Sequence, residues 1–264
     1  VPVKGNATAP VIGREAELEQ VRALVSGLAS AKQGALAIIG EAGMGKSRLL
    51  LEASRLAAGH GTTFAAVRGN ALLEAVPFGC LGGTLRHLID LIQPFAPDPA
   101  AAAQLSANEA ACLAGLTANE TGWLSHLPPG DRSRIATGTI VRIVELAAAH
   151  MRLLLLVDDA QYLDSETLMV LAAIGRGGRI AMIVAGRPEA LPRIEGMCAT
   201  QLRLGSLSRS AARTLVSLIN RITPIDDSVI DHVIDRAEGL PLALQEFAVM
   251  LQVEPLADTG GGDD

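Results

Sequence analysis

Residues Gly40–Ser47 of this 264-residue chain read GEAGMGKS, the spacing G-x-x-x-x-G-K-[ST], directly behind the apolar run ALAIIG. Glycines at Gly40, Gly43 and Gly45 let a backbone adopt positive φ and close turns, so that successive N–H groups face one anion. The whole stretch, Gly40, Glu41, Ala42, Gly43, Met44, Gly45, Lys46 and Ser47 with Arg48 behind it, has the composition of a nest for a nucleotide's phosphates. Lys46 is placed to reach the β and γ phosphates and Ser47 to ligate Mg²⁺. The helix that follows adds unpaired N–H groups and the positive end of its dipole. A Gly-rich turn with no ligand would have no use for a Lys-Ser pair after its last glycine.

A phosphate loop needs a carboxylate facing it from the tip of a neighbouring buried strand. The run LLLLVDD supplies one: Asp158 at the tip to hold Mg²⁺ through water, and Asp159 to orient an attacking water. The plainer alternative makes both aspartates caps of the next helix. Asp164 and Ser165 stand closer to that helix and suit the cap better.

Five short apolar runs are the candidate strands that position these groups: 34–40, 62–69, 152–159, 179–187 and 200–207. Several are apolar nearly throughout, as strands covered on both faces are. Helical patterns precede the first and third, and strand–helix alternation predicts an α/β doubly wound parallel sheet with helices on both faces. The stretch Pro94 to Arg134 reads as helical insertions with Pro-containing turns. Beyond Leu207 the pattern is fully helical. The expected organisation is an α/β domain over 1–207, a small helical subdomain over 208–254 and a flexible tail over 255–264.

Composition narrows the function. The chain is 49% hydrophobic and 19% charged with a formal charge of −6 and no Lys/Arg-dense run, so no cationic face is available to displace counterions from DNA. Aromatics at 2% remove a stacking platform for single strands. The run LLLLV at Leu153–Val157 falls far short of the roughly 20 residues of a membrane helix, and VPVKGNATAP lacks the pattern of a signal peptide; a cytoplasmic protein with no membrane partner is expected. Cys80, Cys112 and Cys198, and the five histidines, are too scattered for a zinc site or a disulfide framework.

Six segments in order, VIGREAELEQVRALV, GEAGMGKSRLL, LLLLVDDAQYLD, IVAGRPE, LRLGSLSRSAARTLV and AEGLPLAL, resemble the motif succession of STAND ATPases, the signal-transducing branch of the AAA+ P-loop NTPases. Within that branch the chain looks most like the N-terminal ATPase module of large LuxR-type, maltose-regulator-like transcriptional regulators. The resemblance runs from Val11 to Leu251. It implies that Val11, Ile12, Gly13 and Arg14 pack against the adenine. It also implies that Arg187 is the sensor arginine near the γ-phosphate, acting in catalysis with Lys46 and Asp159, and that Pro241 of the GLP motif closes over the base from a helical lid. The sheet is expected to follow the AAA-type strand order, with the phosphate-loop strand central.

Two departures bear on activity. Asp159 stands where many hydrolytic relatives carry Glu, and the lid offers GLP in place of an arginine, so a switch with slow ATP hydrolysis is implied rather than a motor. The implied ligands are ATP or ADP with Mg²⁺. The implied partners are downstream domains, through which alone DNA would be contacted, and further copies of the chain by self-association. A free-standing AAA+ machine with steady ATP turnover is the alternative, and a small-molecule kinase is weaker because no acceptor site is visible.

Overall fold

The five apolar runs become β1 (Ala35–Ile39), β2 (Thr63–Arg68), β3 (Leu153–Asp158), β4 (Ala181–Gly186) and β5 (Thr200–Arg203) in a computed structural model. The residues it describes are 10–28, 34–120, 122–123, 125–177, 180–219 and 226–253, so the expected tail 255–264 lies outside them. The strands form one parallel sheet in the order β2-β3-β4-β1-β5. β1 is an interior strand between β4 and β5, one place from the edge, and β4 holds the middle.

Side-chain alternation along each strand divides the core in two. Ala37, Ile39, Leu153, Leu155, Val157, Met182 and Val184 face one side, and Leu36, Ile38, Leu154, Leu156, Ile183 and Ala185 face the other. The first face is covered by α3 (Gly82–Ile92), α5 (Ala107–Ala118), α6 (Pro129–His150) and α7 (Ser165–Gly177); the second by α1 (Glu15–Gly27) and α2 (Lys46–Gly59). Short helices α4 (Pro99–Ala102) and α8 (Leu191–Ile194) fill connections. Burial on both faces explains why β3 and β4 carry no polar alternation, whereas the edge strand β5 exposes Thr200, Gln201 and Arg203.

The local sequence places the helix ends. Ser106 and Glu109 form a reciprocal capping box at α5. Asp164, as expected, caps α7: its carboxylate accepts from the Thr167 N–H at 2.8 Å and from Thr167 Oγ1 at 2.6 Å. The same carboxylate accepts the Phe78 N–H at 3.0 Å, and so holds a bulky residue with φ of +59° on the connection from β2 to α3.

A third apolar cluster lies outside the sheet layers. It is built by α9 (Arg209–Ile219), α10 (Asp227–Ala237) and α11 (Pro241–Val253), together with Leu207. Arg209 and Arg213 pair with Asp227, Asp231 and Asp235 across α9 and α10, exposed contacts that orient the helices more than they stabilise them. Val11 packs on the second sheet cluster and its neighbour Ile12 on this third one, so one peptide bond links the two bodies. Among the described residues no helix is long and apolar enough to cross a membrane.

Candidate functional site

In a parallel sheet every strand delivers its following loop to the same edge, and here the tips of β1, β3 and β4 converge. The loop from Gly40 leaves β1 and enters α2 with Gly43 at φ +79° and Gly45, the residue before the helix, at φ +91°. These left-handed turns are open to glycine. Around Gly45 nothing lies within 4 Å of where a Cβ would stand, so the nest is open on that side. Lys46 is buried and its Nζ donates to the carbonyls of Gly40 and Glu41, 2.8 Å each. Burial pushes its pKa below the usual lysine value, against the pull of Asp158 and Asp159, which favour the charge.

Ser47 Oγ donates to Asp158 Oδ2 at 2.7 Å, tying the first turn of α2 to the tip of β3. Asp158 is 7% exposed. Burial raises its pKa; the Ser47 hydrogen bond lowers it, and the charge of Asp159 raises it further. Two hard oxygen donors in contact beside a phosphate-type nest are the donor set a small divalent cation such as Mg²⁺ accepts, so Ser47 and Asp158 fit that ion.

Asp159 takes left-handed backbone angles, φ 53° and ψ 43°, uncommon for a residue with a side chain. Its N–H donates to Asp158 Oδ1 at 3.0 Å. Its Oδ2 accepts from Arg68 Nε at 3.2 Å and Nη2 at 3.1 Å, and its Oδ1 accepts from Gln161 Nε2 at 3.2 Å. Arg68 reaches it because the β2–β3 register sets Arg68 beside Asp158. Gly69 completes the approach: a Cβ there would stand 2.0 Å from the Asp159 carbonyl oxygen. Arg187 follows β4 at the same edge; its backbone N–H donates to Gln161 Oε1 at 3.1 Å and its guanidinium lies 6.0 Å from the Tyr162 ring centroid.

A cavity of about 750 Å³ opens above these groups. Its lining combines the loop from Ala42 to Ser47, Arg48, Asp159, Arg187 and Arg14 with the apolar side chains of Val11, Ile12, Leu215, Leu218, Ile219 and Pro241. Four expected residues do not line it. Gly40 and Glu41 turn their carbonyls to Lys46. Asp158 is buried against Ser47, which does line it, and Gly13, at φ +64°, packs on Ala211 of α9. Arg14 donates to the Gly205 carbonyl and pairs with Glu17 at 3.2 Å. The loop also touches α11: Leu242 N–H donates to the Gly43 carbonyl at 3.2 Å.

Sequence reasoning missed Arg68, Gln161 and the α9 residues of the apolar wall. The arginine at the end of TTFAAVRG carried a signal, a charge at the tip of a buried strand; Gln161 carried none.

The sequence model of a family described as AAA ATPase domain matches residues 10–184. No curated protein sequence matches. Among solved structures the chain is similar to a DNA replication initiation factor, at TM-score 0.54 and 14% identity, covering 96% of this chain and 65% of that one. It is similar to AMPPCP-bound DnaA from Aquifex aeolicus at TM-score 0.52 and 14% identity, with 96% and 66% covered. It also matches, at TM-score 0.48 and 17% identity, a Signal Transduction ATPase with Numerous Domains (STAND) protein with a tetratricopeptide repeat sensor from Pyrococcus horikoshii, covering 92% of this chain and 31% of that one. The chain thus spans less than two thirds of the length of each of these structures.

Proposed function

Because this chain belongs to the AAA ATPase domain family, we propose that it is an ATP/ADP-binding switch, the STAND-type nucleotide module of a LuxR-type regulator, hydrolysing ATP slowly and signalling to downstream domains. The observation that carries the switch is the bond from the Leu242 N–H to the Gly43 carbonyl. The loop that would cradle the phosphates is thereby bonded to the first turn of α11, and a change in the loop on nucleotide exchange is felt by the helical body. The order of the six STAND-like segments supports the finer assignment.

The residues divide the work. Lys46, held near the phosphate positions by the loop's own carbonyls, exchanges those acceptors for β- and γ-phosphate oxygens. Ser47 and Asp158 would hold Mg²⁺, which when bound supplies positive charge to the phosphates. Asp159 orients the water, Arg187 faces the γ-phosphate, and Val11, Ile12, Gly13, Arg14 and Pro241 form the adenine end. With Oδ2 paired to Arg68 and Oδ1 to Gln161, Asp159 has little freedom to act as a base, which supports slow turnover.

Calorimetry and turnover test this together. Wild-type protein is expected to bind ATP and ADP and to turn over less than once per minute, on the order of the slow intrinsic rates of switch NTPases. Lys46→Ala, which removes charge but no core packing, is expected to abolish binding in a folded protein. Unchanged affinity in that variant sinks the phosphate-loop assignment. Steady turnover by the wild type favours the free-standing machine.

A further inference from the structure

We propose that Gln161 is a positioning residue that locks the Asp159 carboxylate to the tip of β4 and makes the two strand tips move as one; its catalytic consequence rests on the nucleotide-switch function above. The orientation of its amide is forced by chemistry. The Arg187 backbone N–H can only donate, so it must meet Oε1, and the Asp159 carboxylate can only accept, so it must meet Nε2. The side chain is 7% exposed, and neither end can turn without leaving a donor facing a donor and an acceptor facing an acceptor.

The backbone around it is gripped as well. Arg193 on α8 donates to the Gln161 carbonyl at 3.3 Å and to the Leu163 carbonyl at 2.7 Å. The Tyr162 N–H returns to the Asp159 carbonyl at 3.0 Å, closing a short 3₁₀ turn over 160–162. The amide therefore sits in a fixed frame, and the length of its side chain sets the distance between the carboxylate and the segment carrying Arg187. Gln161 does not line the cavity, which separates its role from ligand contact. Charged groups beside it include Asp159, Arg68 from β2, Arg187 after β4 and Arg193, with Asp158 and Lys46 next to Asp159 in turn.

The test compares the whole 264-residue chain with its Gln161→Met and Gln161→Glu variants. Without nucleotide, amide exchange at Arg187 is followed by NMR and is expected to quicken about tenfold or more in Gln161→Met, since one protecting hydrogen bond is gone. With ATP and Mg²⁺, affinity is expected to stay within about twofold of wild type while single-turnover hydrolysis falls about tenfold to a hundredfold, the scale of a small misplacement at a reacting centre. Gln161→Glu sets a second carboxylate against Asp159. It keeps an acceptor for the Arg187 N–H but loses the donor to Asp159, so exchange at Arg187 is expected to stay near wild type while single-turnover hydrolysis falls as in Gln161→Met, a split that a loss of packing would not produce.

Wild-type exchange at Arg187 in Gln161→Met overturns the bridge. If Gln161→Met does not fold, the isosteric Gln161→Glu variant still decides, and wild-type single-turnover hydrolysis there overturns the positioning role. If wild type and Lys46→Ala bind ATP alike, the nucleotide site itself is wrong, and the exchange measurement judges the bridge by itself.

Discussion

Asp158 and Lys46 are both buried at a cost to their own charge, and that cost is readable as stability. Burial raises the Asp158 pKa, so the folded chain binds a proton that the unfolded chain would release. The resulting stabilisation is present below the ordinary carboxylate pKa and is lost as pH rises through the raised folded value. Asp158→Asn is therefore expected to melt at a higher temperature than wild type at pH 7, with the gap closing toward about pH 4, near the ordinary aspartate pKa. The same variant is expected to lose Mg²⁺-dependent ATP affinity in calorimetry. A lower melting temperature at pH 7 would show that the Ser47 and Asp159 hydrogen bonds to Asp158 outweigh its burial. Asp159→Asn, by contrast, is expected to spare binding and lower turnover, because Asp159 contacts Arg68 and Gln161 rather than Ser47.

At the scale of elements, the phosphate loop and α11 meet at Gly43, where a Cβ would lie 3.0 Å from Leu242 Cβ and φ is +79°. Gly45 shares the left-handed backbone but has open space around it. Ala at either position is expected to cost about 1–2 kcal/mol of stability for that backbone, measured by denaturant unfolding. Only Gly43→Ala should also push α11 away, seen as faster amide exchange over 241–251; equal exchange in the two variants would mean the contact transmits nothing. The loop, the five strands and the capping role of Asp164 were legible in the sequence because each is written in consecutive residues: glycines and a Lys-Ser pair, unbroken apolar runs, an aspartate just before a helix. The grip of Arg68 on Asp159 was not, since it depends on the β2–β3 register between segments far apart in the chain. Nor was the position of β1 one place from the edge, which depends on where the short strand β5 chooses to pair. The wall supplied by Leu215, Leu218 and Ile219 lies in a stretch whose sequence reads only as helical, and the packing of α9 turns it toward the cavity.

For the whole molecule, the nucleotide reading requires the helical body to be held against the α/β body by ligand. Hydrogen exchange over α9–α11 is expected to slow with ADP, and Pro241→Ala to weaken ADP binding by about 1 kcal/mol, the size of one apolar contact and less than the loss from Lys46→Ala. Protection confined to 40–47 would remove the helical body from the site. The seam between the bodies is apolar: Val11 roots in one core, Ile12 in the other, and Leu207 and Leu242 stand beside them. Closing such a seam takes hydrocarbon out of water, and that leaves a mark in heat capacity. The enthalpy of ADP binding should therefore grow more negative as temperature rises, more steeply for the wild type than for Ile12→Ala, and cooling should loosen the grip that one adjacent pair of aliphatic side chains provides.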